Sequence, residues 1–442
     1  MADLRILKQF PSDFIFGVAT SSYQIEGNSF GRSGLSHWDD FAGIPGNVLN
    51  QENGNIACAH ILNYQKDITL VAEAGFSSYR FSFSWPRILP EGKGSVNQEA
   101  ISFYDKLIDE MLEKDLNPFG TLYHWDLPSN FGKNGGWKNR DTTKWFADYT
   151  DIIMKKFSDR LFSLATINEP WCVSWLSHYL GEHAPGEKSV SAGVKTMHMI
   201  LVAHGEAMQV IRGHNFQQAG IVLNKQFMEP YDEKPDSLLV TTLSDEIHNL
   251  WFDEAIFKGR YPTATLELFD EYLPENFEQD LPLISEPIDW VGINYYTRSI
   301  IKADKNEKFL GFSSLSGDLP KTDMGWEIYP EGLEVIVKRL HQNYSQNIPI
   351  FITENGMANQ ESIDSGQIND YQRVSYYSEH LAKVLNLLKA KIPLKGYFAW
   401  SLLDNFEWAH GYSKRFGLVH VDFKNQKRTP KSSFKQFKKY LK

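Results

Sequence analysis

The sequence predicts an α/β fold, a single (β/α)8 barrel, and three observations carry that prediction. The chain has 442 residues, whereas such barrels take roughly 250 residues and more than about 400 when their loops are elaborated. Eight short apolar runs with strand character recur along it, and amphipathic helical stretches separate most of them. Because no linker, repeat or low-complexity tract divides the sequence, residues 1–442 are expected to form one TIM-barrel domain with long loops on its carboxyl-terminal face.

The predicted elements follow in chain order. Strands are expected at 14–20, 77–84, 118–123, 162–169, 220–224, 290–296, 350–355 and 396–405. Amphipathic helices are expected at 100–116, 143–157, 191–212, 333–343 and 370–390, where apolar residues return every three or four positions. The irregular segments 29–55, 125–140, 225–240 and 298–328 are predicted to be loops.

Two glutamates end the fourth and seventh predicted strands, each next to an asparagine. Glu169 lies in Thr-Ile-Asn-Glu-Pro and Glu354 in Ile-Thr-Glu-Asn-Gly. Because the carboxyl ends of barrel strands meet on one face, the two are predicted to form one paired-carboxylate site. Cleavage of an acetal needs such a pair, since one carboxyl donates a proton and an ionised one meets the developing oxocarbenium charge. Taken alone, the first motif favours a structural glutamate, and the second motif shifts the interpretation towards chemistry.

Other polar and aromatic side chains also follow the predicted strands. Arg80 alternates with aromatic residues on the second strand, where an unpaired buried charge is costly. It therefore needs an anionic partner, either in a structural ion pair or as a cation that lowers the pKa of a nucleophilic carboxylate. Asn168 can donate to a sugar hydroxyl, whereas His124 beside Trp125 is either a hydroxyl contact or a structural histidine. Further candidates at strand ends are Gln24, Glu26, Asn294, Tyr296, Trp400, Glu407 and Trp408.

Composition restricts the class of partner. The 45 Lys and Arg residues against 55 Asp and Glu residues give a formal charge of −10, which disfavours nucleic acid or an anionic membrane and favours a neutral small molecule. Aromatic residues make up 14% of the chain. Most are expected to be core, and the surplus would form sugar-stacking walls.

The two cysteines, the amino terminus and the cofactor motifs bear on the location of the protein and on its need for a cofactor. Cys58 and Cys172 are the only cysteines, too few for a disulfide framework, and both are expected to be packed thiols in a reducing compartment. Residues 1–10 lack a signal-peptide core, and no run reaches the ~20 apolar residues of a membrane span. The expected location is the cytoplasm, although a chain that had lost a signal peptide would look the same.

The sequence has no phosphate-loop, dinucleotide, zinc-protease or nucleophile-elbow motif, so neither cofactor nor metal is expected.

With these motifs in order, the chain closely resembles the family 1 glycoside hydrolases, the β-glucosidase family, over essentially its full length. The segments that carry the resemblance are 16–27, 80–88, 124–128, 166–170, 292–296, 352–356 and 407–408 with 411–417. The resemblance implies a retaining β-glucosidase that hydrolyses terminal β-D-glucosyl residues of cello-oligosaccharides and aryl glucosides without a cofactor.

The resemblance also implies residue roles. Glu169 is then the general acid and base, and Glu354 is the nucleophile of a double displacement through a covalent glycosyl-enzyme, with the carboxyl groups about 5 Å apart. Arg80 and Tyr296 would support the nucleophile, and Asn294 the acid/base. The implied substrate pocket contains Gln24, His124, Trp125, Asn168, Glu354, Trp400, Glu407 and Trp408.

The resemblance determines the substrate specificity less closely than it determines the catalytic residues. Glucose is the expected sugar, and β-galactosides and β-fucosides are often accepted by such pockets. The phospho-glycosidase branch usually has serine at the position of Glu407 and tyrosine at that of Phe416, and a carboxylate repels a 6-phosphate, so 6-phospho-β-glucosidase is the alternative. Trp171 and Leu176 follow Glu169 at a spacing seen in relatives that resist inhibition by glucose, and they are predicted to narrow the aglycone entrance.

Two alternatives remain open from the sequence. A non-catalytic sugar-binding barrel is compatible with the fold, because fold does not dictate function, and a retaining enzyme can also transfer its glycosyl unit to an acceptor other than water. The presence of both glutamates favours hydrolysis. The expected partner is a small-molecule β-glucoside, with no nucleic acid and no membrane, and the chain is either a monomer or a homo-oligomer.

Overall fold

A closed barrel of eight parallel strands forms the centre of the molecule, which confirms the predicted fold class. The structure is a computed structural model that describes residues 3–359, 361–364 and 366–442. The barrel strands are β1 (Ile15–Ala19), β2 (Ser78–Ser82), β3 (Asn117–Tyr123), β4 (Ser163–Asn168), β5 (Ala219–Pro230), β6 (Trp290–Ala303), β7 (Ile350–Asn355) and β8 (Leu394–Trp400).

Hydrogen bonding runs around the barrel in chain order. Each strand pairs in parallel with the next one, and β8 returns to β1 with Ile15 opposite Gly396 and Ala19 opposite Trp400. Parallel neighbours need crossover connections, which is why helices lie between the strands. The carboxyl ends of all eight strands consequently meet at one rim.

The larger helices pack between and after the strands. They are α1 (His60–Glu73), α2 (Gln98–Leu112), α3 (Arg140–Phe157), α4 (Val190–Gly213), α5 (Pro235–Asp245), α6 (Trp251–Lys258), α7 (Pro330–Leu340), α8 (Tyr371–Lys389) and α9 (Ser432–Leu441). Short α-helical turns are Ser22–Ile25, His37–Ala42, Trp85–Ile88, Ser129–Lys133, Thr263–Phe269 and Leu281–Ile284. The π-helical segments are Cys172–Tyr179, Glu246–Leu250 and His341–Ser345. The 3-10 turns are Arg5–Gln9, Leu49–Gln51, Gly136–Lys138, Asp270–Tyr272, Phe277–Asp280 and Trp408–His410.

Polar caps set the starts of several helices. The side chains of Asn97, Asn139 and Ser189 accept backbone N–H groups from the first turns of α2, α3 and α4, which satisfies donors that have no partner inside the helix. These helices therefore begin one to three residues before the apolar periodicity predicted them to start.

Large side chains close the amino-terminal side of the barrel interior. The ring of Phe119 lies 4.8 Å from that of Phe398 and 5.7 Å from that of Phe351, which in turn lies 5.6 Å from Trp290. Gly17 gives Phe398 its space, because a Cβ there would lie 2.3 Å from the ring. The interior is thus a packed core at this level of the barrel rather than a pore.

Several further predicted boundaries need correction. The segments predicted as loops at 29–55 and 125–140 contain the short helices His37–Ala42 and Ser129–Lys133, and helix α5 begins inside the predicted loop 225–240. The segments predicted as loops at 225–240 and 298–328 hold strand extensions, since Phe227–Pro230 of β5 pairs with Arg298–Ile301 of β6, and the strand Phe312–Leu315 pairs antiparallel with the end of β6. The sequence did not indicate this ribbon, because its pairing is non-local and joins distant segments of the chain. The last barrel strand ends at Trp400 rather than 405. The remaining strands form the antiparallel pairs Ser362–Asp364 with Gln367–Asn369 and Val419–Asp422 with Lys427–Pro430.

Among the helices in the described part of the chain, none combines the length and the apolar character that a membrane crossing requires.

Candidate active site

A cavity of about 440 Å³ opens at the carboxyl-terminal rim of the barrel, and both predicted glutamates line it. Glu354 lies on β7 and Glu169 directly follows β4, with only 3% and 6% of their surfaces exposed. The other residues of the wall are His124, Trp125, Trp171, Cys172, Leu176, Glu182, His183, Asn224, Lys225, Gln226, His248, Asn294, Tyr296, Thr297, Met324, Trp326, Trp400, Glu407, Trp408, His410 and Phe416.

An unusual backbone conformation holds Glu169 at the end of its strand. Its φ of 53° lies in the left-handed region, which residues other than glycine adopt rarely. The N–H of Glu169 donates to the carbonyl of Val222 on β5 at 2.9 Å, and its carbonyl accepts from the N–H of Val173 at 3.1 Å. Trp125 and Trp408 in the same wall also have positive φ. Such conformations persist where the surroundings fix them, and they concentrate at functional sites.

Both carboxylate oxygens of Glu354 are hydrogen-bonded. Nη1 of Arg80 donates to Oε1 at 2.5 Å, and the hydroxyl of Tyr296 donates to Oε2 at 2.6 Å. Arg80 is 2% exposed, so the ion pair is fully buried and the anionic partner that the sequence required is Glu354. Charge-assisted bonds of this kind favour the ionised carboxylate.

Glu169 has a different set of partners. Nδ2 of Asn294 donates to Oε1 at 2.6 Å, and the Sγ of Cys172 lies 3.1 Å from Oε2. Neither partner carries a positive charge. Cys172 is buried, as the sequence predicts for a packed thiol.

An amide network joins the two glutamates. Oδ1 of Asn168 accepts from Nη2 of Arg80 at 2.7 Å and from Nδ2 of Asn294 at 3.1 Å. The hydroxyl of Thr353 donates to Oδ1 of Asn294 at 2.7 Å, which fixes the orientation of that amide so that its N–H groups face Glu169 and Asn168. The environments of both carboxyl groups are therefore coupled through hydrogen bonds between side chains.

Burial and these partners act on the carboxyl pKa values. Burial raises the pKa of Glu169 to about 7, and the charge of Glu354 adds to that rise. Burial also raises the pKa of Glu354, but Arg80 and Tyr296 oppose it there. The two groups are thus unequal, because Glu354 faces a buried cation and Glu169 faces a carboxylate, and Glu354 is the one that ionises first.

Aromatic rings and one imidazole form another part of the wall. The ring of His124 lies nearly parallel to Trp400 at 5.8 Å and to Trp408 at 6.2 Å. Nδ2 of Asn168 lies 3.2 Å from Nε2 of His124, and the indole N–H of Trp125 donates to the Asn168 carbonyl at 2.9 Å. Burial, followed by the charge of Arg80, lowers the pKa of His124 well below its ordinary value, so the ring is neutral and can exchange hydrogen bonds with hydroxyls.

Glu407 is a third carboxyl group in the cavity. Burial and the charges of Glu354 and Glu169 raise its pKa to about 8. Gln24 lies behind it, and Nε2 of Gln24 donates to Oε2 of Glu407 at 3.4 Å and to the carbonyl of Phe406 at 2.9 Å. Gln24, Arg80 and Asn168 are not among the lining residues, so they contact the wall from behind.

The predicted entrance residues Trp171 and Leu176 both line the cavity, and the Trp171 ring lies 4.2 Å from that of His248. Sequence reasoning missed Lys225, His248 and the pair Met324 and Trp326. Lys225 directly follows the predicted fifth strand, a position that could have marked it. Met324 and Trp326 come from a long irregular segment in which no pattern distinguishes them.

Glu361, Asp404 and His420 place ligand-type atoms within 4.8 Å of one another, outside the cavity and within the described residues. Nζ of Lys431 pairs with Glu361 and lies 2.6 Å from Asp404, and Arg415 lies 3.0 Å from Asp404. These two side chains already supply the positive charge, so the cluster is an ion-pair network rather than a metal site.

Comparisons with known proteins agree with this geometry. The sequence profile of Glycosyl hydrolase family 1 matches residues 6–442. The chain is 44% identical to a 1,4-β-D-glucan glucohydrolase of Thermotoga neapolitana over 97% of each protein, and 44% identical to β-glucosidase A of Thermotoga maritima over 97% of this chain and 96% of the relative. The solved structure of a family 1 β-glucosidase from Thermotoga maritima in complex with isofagomine lactam superposes with a TM-score of 0.95, at 43% identity and with 98% of each chain covered.

Proposed function

The chain belongs to Glycosyl hydrolase family 1 and is a retaining β-glucosidase, and from that premise we propose that Glu169 is its general acid and base and Glu354 its nucleophile. The observation that carries this assignment is the unequal hydrogen bonding of the two carboxyl groups. Arg80 and Tyr296 hold Glu354 ionised, whereas Glu169 has only neutral partners.

In the first step, an oxygen of Glu354 attacks the anomeric carbon and the bond to the aglycone oxygen breaks. Glu169 transfers its proton to that oxygen, so the aglycone leaves as an alcohol and a covalent glycosyl-enzyme remains. In the second step, Glu169 takes a proton from water, the water oxygen attacks the anomeric carbon, and Glu354 is released as a carboxylate. Two inversions give net retention.

The same side chains account for the change of role between the steps. In the free enzyme, the charge of Glu354 helps to keep the pKa of Glu169 at about 7, so a large fraction of Glu169 is protonated near neutral pH. The covalent bond removes that charge. The pKa of Glu169 then falls, and the ionised group can act as the base.

The substrate we propose is a terminal β-D-glucosyl unit of a cello-oligosaccharide or an aryl glucoside, with β-galactosides and β-fucosides as further substrates. The rings of Trp400 and Trp408 provide an apolar surface for a pyranose, while His124 and Glu407 provide hydroxyl partners. Asn168 supports His124 from behind, and Gln24 supports Glu407 in the same way. Trp171 and Leu176 would narrow the way to the aglycone side. The corresponding physiological role is the breakdown of cellulose fragments in the cytoplasm.

The charge of the cavity argues against a 6-phospho-glucoside. Lys225 is the only lysine or arginine among the lining residues in the described part of the chain, and its Nζ lies 2.6 Å from Asp253. Burial raises the pKa values of Glu169, Glu354 and Glu407 alike. A phosphate dianion would therefore meet carboxyl groups and no uncommitted cation, and its transfer from water would be unfavourable.

Chemical rescue tests the assignment. Glu354→Ala and Glu169→Ala are each assayed on p-nitrophenyl β-D-glucoside with and without azide. We expect both to be inactive or nearly so alone, with Glu354→Ala giving the α-glucosyl azide and Glu169→Ala the β-glucosyl azide. Full activity of either variant without azide would overturn the roles, and a wild type that binds glucosides without turnover would favour a sugar-binding barrel.

A further inference from the structure

Both oxygens of Glu169 already have partners within the protein. Nδ2 of Asn294 lies 2.6 Å from Oε1, and the Sγ of Cys172 lies 3.1 Å from Oε2. An amide N–H can only donate, so Oε1 is an acceptor in every protonation state. The sulfur can also accept an O–H, which the amide N–H cannot, so these partners favour Oε2 as the oxygen that carries the acidic proton of Glu169.

The thiol keeps its own hydrogen. Burial and the charge of Glu169 raise the pKa of Cys172 well above its ordinary value, so the sulfur carries an S–H and can donate. Local structure holds it in place, because Ser177 donates to the Cys172 carbonyl at 2.7 Å and the N–H of Val173 donates to the Glu169 carbonyl at 3.1 Å. The thiol and the carboxyl thus belong to one tightly bonded turn.

We propose that Cys172 is a positioning residue for Glu169, whose S–H donates to Oε2 whenever that oxygen is ionised. This inference rests on the proposed role of Glu169 as acid and base. Oε2 gives its proton to the glycosidic oxygen in the first step and recovers one from water in the second, while the sulfur keeps its hydrogen throughout. A donor to the ionised form stabilises it, so the thiol favours proton release and fixes the oxygen that performs it.

Several other charged or titratable groups face Glu169 from the surrounding elements. Glu354 comes from β7, Arg80 from β2, Tyr296 from β6, Glu407 from the loop after β8, and Lys225 from β5. His248 lines the same cavity. All of them remain in a variant of Cys172, so a comparison between a replacement that lacks a hydrogen-bond donor and one that keeps a donor tests the contribution of the thiol.

The test compares Cys172→Val, which removes the donor, with Cys172→Ser, which keeps a shorter and stronger one. The measured quantity is the alkaline limb of the pH profile of kcat/KM for cellobiose. Cellobiose has a poor leaving group, so its cleavage needs the proton that Glu169 donates. We expect the Cys172→Val variant to shift that limb to higher pH by about half a unit, because loss of the donor raises the pKa of the Glu169 carboxyl. The Cys172→Ser variant should shift it to lower pH. Cys58→Ser, at the other buried cysteine, should leave the limb unchanged.

A second substrate separates a positioning role from a structural one. The leaving group of 2,4-dinitrophenyl β-D-glucoside departs without a proton, so its kcat/KM should stay within about twofold of wild type in both variants. Equal losses on both substrates, or alkaline limbs that coincide for Val, Ser and wild type, would overturn the role of Cys172. If Glu169→Ala were fully active, the proposed function itself would fail, and the two failures are thereby distinguished.

Infrared spectroscopy of the intact enzyme provides a measurement that does not depend on how the Val variant folds. The S–H stretch that disappears in Cys172→Ser should shift to lower frequency as pH rises through the ionisation of Glu169, and the shift should be absent in Glu169→Gln. An S–H band that is independent of pH would contradict the proposal.

Discussion

Burial raises the pKa values of both Glu169 and Glu354, and the difference between the two carboxyl groups comes from their neighbours. Glu354 accepts from Arg80 and Tyr296, whereas Glu169 accepts from an amide and contacts a thiol. A buried cation at 2.5 Å outweighs any neutral donor in favouring a charged carboxylate. The division of labour between two chemically identical side chains therefore comes from a few named contacts.

Replacing Arg80 should impair the enzyme through the ionisation of Glu354. Arg80→Met leaves Glu354 buried without a cation, so its pKa should rise by about 1–3 units, and the acidic limb of kcat/KM should move to higher pH by the same amount. The pH profile on an aryl glucoside measures this shift. Arg80→Lys keeps the charge and should shift the limb less, and an unchanged acidic limb in Arg80→Met would contradict the account.

Thr353 should matter through Asn294 rather than through the substrate. Thr353→Val removes the donor to Oδ1 of Asn294 and leaves a buried carbonyl oxygen without that bond, at a cost of about 1–3 kcal/mol. We expect kcat/KM for cellobiose to fall at least tenfold, while Thr353→Ser, which keeps the hydroxyl, stays near wild type. Equal kinetics for Val and Ser would show that the hydroxyl does not orient the amide.

The loop after β8 depends on buried ion pairs for its position. Asp404, which is fully buried, accepts from Lys431 at 2.6 Å, from Arg415 at 3.0 Å and from the N–H of Gly417 at 2.9 Å. Glu407 and Trp408 lie between these anchor points in the sequence. Because removal of one partner leaves an uncompensated buried charge, this network connects the stability of helix α9 to the shape of the sugar pocket.

Lys431→Met should be strongly destabilising. Lys431 is fully buried and lies beside two carboxylates, so its loss should cost about 3–5 kcal/mol and lower the thermal midpoint by several degrees. Differential scanning fluorimetry measures the change. Lys438→Met, which removes an exposed pair with Glu73, is the matched control, and a midpoint for Lys431→Met as high as that of the control would contradict the prediction.

The barrel strands and the two central glutamates were predictable because they leave a local signal. Strands that are buried on both faces appear as short apolar runs, and Glu169 and Glu354 come where two of those runs end. The ribbon formed by β5 and β6 was not predictable, since its pairing joins distant segments. Cys172 was correctly predicted to be packed, but nothing in its sequence context indicated that its sulfur faces Oε2 of Glu169. Met324 and Trp326 likewise reach the cavity through the path of a long loop.

Across the whole molecule, a packed barrel core lies below a cavity that holds three buried carboxyl groups. Folding brings Glu169, Glu354 and Glu407 together, and burial raises the pKa of each. A carboxyl whose pKa is higher in the folded state contributes stability at low pH and loses that contribution as pH rises. The site is therefore assembled at the expense of stability under alkaline conditions.

The variant Glu407→Gln tests this loss of stability at alkaline pH. The pKa of Glu407 is about 8 in the folded protein against about 4.3 for an exposed glutamate. Its stabilising contribution is complete below the lower value and is lost as pH rises through the higher one. The variant should thus gain thermal stability relative to wild type at about pH 8.5 compared with about pH 5, and an equal difference at both pH values would contradict the assignment.

The central claim is that Glu354 forms the covalent intermediate, and trapping that intermediate tests it most directly. The wild-type enzyme is incubated with 2-deoxy-2-fluoro-β-D-glucosyl fluoride, whose fluorine at C2 slows hydrolysis of the glycosyl-enzyme, and is then digested and analysed by mass spectrometry. The account predicts one equivalent of label, attached to Glu354, and loss of activity in parallel with labelling. A label on Glu169, on Glu407 or on any other residue would contradict it.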